Sequence, residues 1–511
     1  VGGIAARFAD IPVHVAALLA ALCLLAAGIG VVEAVGDAPT IDEPVYVSAG
    51  VASLVRHDLR LNTQHPPLAK ALAALPVLLA SPQLPSGRVW RRAHDRPYTR
   101  VFDVDARRHG QLHEITLLSR IVPLLELIAS GLAVFALGRR LGGPWGGLLG
   151  ASLWLLNPYV LGIGHVDGID LPFSLATLAV VLALVRWMEA PGRRRLAVVG
   201  VACGVAMLTR DTGPLLLLAA LGVVAFRTRS LRPVLGCAAV AWLCLWAAYL
   251  VLDPAYTVGH LAVAPQRYID GLHALLRAHR HPAPAFLLGH LWYGGRWWFW
   301  PASMVVKLPA SLLLAFALVP LGLYRSERGA RRRLLLAAGP AALLLTAFTV
   351  ASPVDFGLRY LLPVIALGAV AGASLVRLRP RVVPAALVAV GAAFALTSIP
   401  YSIAWIAPPF GPGYATASAG NLDWGQDAWR LQAWARGKHA WIGCYSPGGS
   451  GCVQDVAGAR TLPRLADPAR IHGWVAISAT LRNLHGWDPW LRRRKPVGTL
   501  GDGTELLYRV G

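Results

Sequence analysis

The chain has 511 residues, 56% of them hydrophobic and only 14% charged, against roughly 25% charged in an average soluble protein. With a mean hydropathy of +0.54 it carries more apolar surface than a soluble core can hide, which excludes a soluble globular protein. The formal charge of +22 would point to nucleic acid on a soluble chain, but the arginines fall in short clusters between apolar runs, as membrane topology requires, so a nucleic-acid partner is excluded too.

A helix needs roughly 20 apolar residues to cross the hydrocarbon. Such runs lie at 11–35, 115–137, 145–163, 171–187, 196–209, 213–226, 233–251, 299–323, 333–350, 359–376 and 382–400. The fold class expected is therefore an all-α polytopic membrane protein of about eleven spans. The first run is too long for a signal-peptide core of roughly 7–15 residues and reads as a membrane helix. The loop 36–113 opens with Asp42 and Glu43 and contains an apolar stretch, Pro66 to Ala80, too short to span and expected to lie at the interface. Asp167 and Asp170 flank a tight turn, and Arg210-Asp211 sits between the two short runs. The loop 252–298 is rich in aromatic residues (Trp292, Tyr293, Trp297, Trp298), as at a headgroup boundary. After residue 400 short apolar runs alternate with Gly and Pro. This tail reads as a small α/β appendage with strands at Ala440–Tyr445, Gly473–Ser478 and Glu505–Val510. The domain division expected is thus 1–400 in the membrane, with its loops 36–113 and 252–298, and 401–511 outside it.

Charge orients the spans. With the N-terminus in the cytoplasm, the cytoplasmic turns hold Arg139 and Arg140; Arg186 and Arg193 to Arg195; Arg227, Arg229 and Arg232; Arg325, Arg328 and Arg331 to Arg333; and Arg377, Arg379 and Arg381. The short turns on the opposite side, 164–170, 210–212 and 351–358, contain only Arg210 as a basic residue. This positive-inside pattern predicts a multi-pass plasma-membrane protein with its C-terminus extracytoplasmic. Cys444 and Cys452 then lie where a disulfide persists, whereas Cys23, Cys203, Cys237 and Cys244 sit in apolar runs as small hydrophobes.

The outward acids and cations are the chemical candidates. Asp42 and Glu43 suit general-base work, with a helix N-cap as the competing reading. Lys70 follows His65 and two prolines that start a helix. It is one of four lysines in the chain and is placed to meet a lipid phosphate, or simply to snorkel. Arg359, beside Tyr360, enters a span from the outside against the charge trend and has the fork geometry for a phosphate, or it is an interfacial anchor. Arg210 resembles it, although its charge pairs equally well with Asp211. An N-cap explains Asp170. Arg120 and Glu126, inside a span, are costly in lipid and suggest a structural pair. Asn421 to Asp427, with Asp423 and Trp424, combines a flat ring with amides and carboxylates, which suits a sugar or a capped loop equally.

Several of these segments, in this order, carry a family likeness. Asp42-Glu43, then His65-Pro66-Pro67-Leu68-Ala69-Lys70, then Asp170-Leu171-Pro172, resemble the phospholipid-carrier-dependent glycosyltransferases of the GT-C fold, which include protein O-mannosyltransferases and lipid A aminoarabinose transferases. Arg296 to Pro301, Lys307-Leu308-Pro309, Gly357 to Pro363 and Asn421 to Asp427 are similar to the same group. The resemblance implies an inverting hexosyl or pentosyl transfer from a polyprenyl-phosphate sugar to an acceptor hydroxyl on a protein or glycolipid. It further implies Asp42 as base with Glu43 in support, and Lys70, Arg359 and Arg210 at the donor phosphate. His65, Asp167, Asp170, Tyr360, Asp423 and Trp424 are expected on the acceptor or sugar side. No cofactor is required, and Mg²⁺ or Mn²⁺ at Asp42, Glu43 and Asp170 stays open. The chain departs from the family at Gly168-Ile169, where many relatives have two threonines, and at Arg210, where a lysine is common. A transporter or flippase is the rival reading; such proteins tend to place ionisable groups near the midplane, often within inverted repeats, whereas most candidate groups here sit at outer helix ends and no repeat is visible.

Overall fold

The computed structural model describes residues 11–92, 95–446, 451–454 and 456–511. Among them the helices of eight residues or more are α1 Val13–Gly36, α2 Glu43–Arg56, α3 Pro67–Val77, α4 Asp95–Arg108, α5 Leu112–Leu155, α6 Asp170–Glu189, α7 Arg193–Thr209, α8 Gly213–Thr228, α9 Leu231–Leu252, α10 Gln266–Ala278, α11 Phe299–Lys307, α12 Ala310–Tyr324, α13 Arg328–Val350, α14 Leu362–Gly372, α15 Val382–Thr397 and α16 Ala428–Ala435. Helix covers every expected span. Six helical segments are long and apolar enough to cross a membrane: Val13–Gly36, Leu112–Leu155, Asp170–Glu189, Leu231–Leu252, Arg328–Val350 and Leu358–Arg377. Gly213–Thr228, Ala310–Tyr324 and Val382–Thr397 are shorter apolar helices. Large side chains such as Leu24, Leu125, Leu243 and Leu343 point outward, a surface that only lipid covers favourably.

Breaks in the helices have local causes. The second and third expected spans form one helical run kinked at Gly142 and Gly143, where Gly143 takes φ 66°, a conformation open to glycine. The eighth breaks at Pro309, which begins α12 after Leu308 leaves the helical region. At the kinked end the arginine-rich turns meet: Arg140 pairs with Glu189 at 2.9 Å, and Arg377 donates to the Leu141 carbonyl.

The opposite end carries the acids. Here α3, the expected interfacial helix, starts at the predicted prolines and packs on α2 so closely that a Cβ at Gly50 would lie 2.2 Å from the Lys70 carbonyl oxygen. The hairpin β1 Pro284–Leu287 and β2 His290–Tyr293 lies within the aromatic loop. The tail forms a five-stranded sheet of β3 Trp441–Gly443, β4 Arg460–Thr461, β5 Gly473–Ser478, β6 Gly498–Leu500 and β7 Glu505–Val510, in the order β4-β3-β5-β7-β6. The three expected strands are its centre. One face (Ile442, Ala476, Leu507) packs on Leu431 and Ala435 of α16; the other gathers Val475, Ile477, Leu506 and Tyr508, the alternation that a sheet covered on both sides requires. Cys444 and Cys452 are joined as a disulfide.

One buried ion pair fixes the acidic end. Arg120 and Glu43 are fully enclosed and bonded twice, at 2.8 Å each. The guanidinium also donates to the carbonyls of Ala34, Asp37 and Ala38. The carboxylate accepts from the Thr40 and Asp167 N–H groups. Arg120 thus pairs with Glu43, not with Glu126 as its sequence neighbourhood suggested. Because removing one partner leaves an uncompensated buried charge, Glu43→Gln should destabilise by about 3–5 kcal/mol, read as a lower melting temperature in detergent. The double variant Arg120→Met with Glu43→Leu should recover only part of that loss, because it removes both buried charges but leaves the backbone groups they bonded unmet.

Candidate active site

Asp42 occupies the N-cap position of α2 but makes no side-chain capping bond. Its carboxylate, about one third exposed, instead meets the Arg359 guanidinium at 3.0 Å. Arg359 also approaches Asp170 at 3.8 Å, and Arg210 binds the other oxygen of Asp170 at 2.7 Å. Two guanidinium groups therefore share one buried carboxylate, and both lie against the Tyr360 ring, 5.7 Å and 4.6 Å from its centroid. Arg359 also covers the Trp424 ring at 4.3 Å. Beside this group His65 faces Asp211 at 3.7 Å and Tyr46 edge-on. Burial alone would raise the Asp211 carboxyl, but His65 and Arg210 outweigh it and hold it below the usual carboxylate range.

The tail places this cluster. Ala38 and Ile41 donate to the carbonyls of Gln426 and Trp424, at 2.7 and 2.9 Å, so the stretch leading to Asp42 is bonded to the segment 424–426. The Asn421 side-chain oxygen accepts from the Leu358 N–H at 2.9 Å and so holds the turn bearing Arg359. That turn needs Gly357, whose φ is 136°.

Residues 115–253 match the family model of dolichyl-phosphate-mannose-protein mannosyltransferases. Over that segment the family resemblance holds. Solved structures similar to the chain include ArnT from Cupriavidus metallidurans bound to undecaprenyl phosphate, 18% identical with a TM-score of 0.49 over 72% of this chain and 61% of that one. The same protein in the apo state is 19% identical with a TM-score of 0.48 over 72% and 60% of the two chains. The S. cerevisiae protein O-mannosyltransferase Pmt1-Pmt2 complex bound to the sugar donor is 16% identical with a TM-score of 0.31 over 56% and 40%. This chain spans about three fifths of the length of the ArnT chain. No curated protein matches it.

Of the expected site residues, Asp42, Asp170, Arg210, Arg359, Tyr360 and Trp424 come together, with His65 alongside. Others are committed elsewhere. Glu43 is locked to Arg120 and cannot meet a substrate. The Lys70 ammonium donates to the carbonyls of Asn62 and His65 and to the Asn62 side chain, at 2.7, 2.7 and 3.1 Å. Its three N–H groups have internal acceptors and none is left for a lipid phosphate; it holds the loop that carries His65. Asp423 is fully buried and accepts from Ser478 and from the N–H groups of Thr480 and Gly425, which ties the sheet to the core. Asp167 is enclosed, and burial together with the charges of Glu43 and Glu126 pushes its carboxyl well above the usual range. Arg210 pairs with Asp170, not Asp211. Of the three carboxylates at which a divalent cation stayed open, Asp42 and Asp170 are paired with arginine and Glu43 with Arg120.

Sequence reasoning missed a second buried cluster. His165 stands between Asp37 and Glu33, at 3.1 and 3.3 Å, and Asp37 also binds Arg430 of α16 at 2.7 Å. The signal available was Glu33, an acid inside an apolar run. Burial alone would lower the His165 pKa; hydrogen bonds and charge from Asp37 and Glu33 outweigh it and raise it to about 9. A raised folded pKa gives stability that is complete below the unfolded value of about 6.5 and lost as pH rises through about 9. Melting temperature should therefore fall between those two values in wild type, and His165→Gln should flatten that fall.

Proposed function

We propose that the protein is an inverting membrane glycosyltransferase that moves a hexosyl or pentosyl unit from a polyprenyl-phosphate donor to an acceptor hydroxyl on a protein or glycolipid. The reaction lies on the extracytoplasmic face, with the N-terminus in the cytoplasm, residues 1–400 as the transmembrane domain and 401–511 outside. The observation that carries this reading is the contact of Asp42, the accessible acid, with Arg359, the guanidinium beside it.

The charges suit such a donor. A polyprenyl-phosphate sugar is a phosphodiester with one negative charge. Its phosphate takes the place of Asp42 on Arg359, so the cation exchanges one anion for another. Asp42, released, accepts the proton of the acceptor hydroxyl as its oxygen attacks the anomeric carbon. The bond from that carbon to the phosphate oxygen breaks, and the polyprenyl phosphate departs with a second negative charge. Arg359 and Arg210, in a site enclosed by Tyr360 and Trp424, meet that charge without rearrangement. Asp170 holds the two guanidinium groups in register.

Asp42→Asn should lower transfer by about 10²–10⁴-fold. The same variant should bind undecaprenyl phosphate more tightly than wild type does, because Arg359 has lost its competing anion. Transfer assayed in membranes across a panel of polyprenyl-phosphate sugars, with lipid binding to the purified protein, checks both. Wild-type transfer by a folded Asp42→Asn protein would remove Asp42 as the base.

A further inference from the structure

Among the described residues, several buried hydrogen-bonding groups lack a partner, and three of them border the Arg359–Tyr360 turn. Trp300 on α11 is 1% exposed and its indole N–H makes no hydrogen bond. Its ring stacks on Tyr360, with centroids 6.4 Å apart and planes 19° from parallel. Tyr159, near the start of the short helix Pro158–Gly164, is also 1% exposed, and its hydroxyl, which the Arg359 backbone approaches, makes no hydrogen bond of good geometry. The Lys307 ammonium, on the same helix as Trp300, lies 5.6 Å from the Tyr159 ring centroid. The third is Nε of Arg359 itself.

Unmet donors in a closed environment cost free energy, and folds satisfy nearly all of them. A group of them at one place indicates a ligand that completes them. Their chemistry narrows its class. The charged groups of the site are ion-paired and suited to a phosphate. The unmet side-chain groups of Tyr159 and Trp300 are neutral. An indole N–H only donates, whereas a phenol donates and accepts, so the complementary group is a hydroxyl rather than a second anion.

We infer that the Tyr159 hydroxyl and the Trp300 indole N–H bind the hydroxyl groups of the donor sugar, beside the Arg359 guanidinium that takes its phosphate. This inference rests on the proposed donor site and assigns its sugar-reading half. The two residues are binding groups, and neither takes part in the proton transfer.

The test uses the full chain in nanodiscs. Competition binding compares undecaprenyl phosphate with its mannosyl, glucosyl, galactosyl and arabinosyl phosphodiesters. At least one sugar-bearing lipid should outbind the bare lipid in wild type. Tyr159→Phe, which removes a single oxygen atom, and Trp300→Phe should each cut that preference about tenfold, with affinity for the bare lipid unchanged. An unchanged preference in both variants, with a raised melting temperature for Tyr159→Phe, overturns the inference and makes the hydroxyl a mere packing defect. Equal loss for bare and sugar-bearing lipids also overturns it, because the residues would then be structural. No preference for any sugar-bearing lipid in wild type overturns it as well. Arg359→Ala separates the two levels: unchanged affinity for the bare lipid refutes the donor site itself, whereas a lost affinity leaves only the sugar assignment to be judged by the other arms.

Discussion

The acidic end of the molecule depends on Arg120 meeting Glu43 out of reach of water. A lone charge at that depth would be prohibitive, and even the pair is worth having only when its remaining hydrogen-bonding capacity is filled. It is filled by the carbonyls of Ala34, Asp37 and Ala38 and by the N–H groups of Thr40 and Asp167. The pair therefore joins the end of α1, the start of α2, the body of α5 and the turn before α6. Asp42 immediately precedes Glu43, so its position is set by a neighbour that is itself enclosed. Two adjacent carboxylates thus have different tasks: one is consumed by the scaffold and its neighbour remains exposed.

The second constraint is how the arginines are shared. Asp170 holds Arg210 and Arg359 near one another, which repulsion would otherwise prevent, and Tyr360 and Trp424 provide π-faces for them. Asp42 supplies a partner that a phosphate can replace. In the proposed reaction such an exchange of anions is far cheaper than exposing a bare guanidinium, and it would couple donor arrival to release of the base.

The tail belongs to this machinery as much as the membrane helices do. Its segment 421–427 lies between the stretch leading to Asp42 and the turn bearing Arg359, bonded to both. Asp423 fastens that segment to the sheet, and Arg430 binds Asp37 next to His165. The polar richness of Asn421 to Asp427 is thus largely structural. Trp424 alone meets a charged group of the site, and it does so through its ring.

The sequence by itself determined the helices, the side on which the arginines gather, the three central strands and the family likeness. Each of these is written in short-range periodicity, in charge segregation or in ordered motifs. Asp42, Arg359, Arg210 and Asp170 were legible as candidates because charged residues at the ends of apolar runs are conspicuous. Only the tertiary structure decided their partners. Glu43 and Lys70 look as functional as Asp42 in one dimension, yet each is enclosed by acceptors or donors brought from elsewhere in the chain. Asp37, His165 and Arg430 come from three distant segments, and Tyr159 and Trp300 become unusual only when their surroundings leave a donor unmet. Partner choice in a dry interior depends on which groups converge through long-range packing, and no local pattern encodes that convergence.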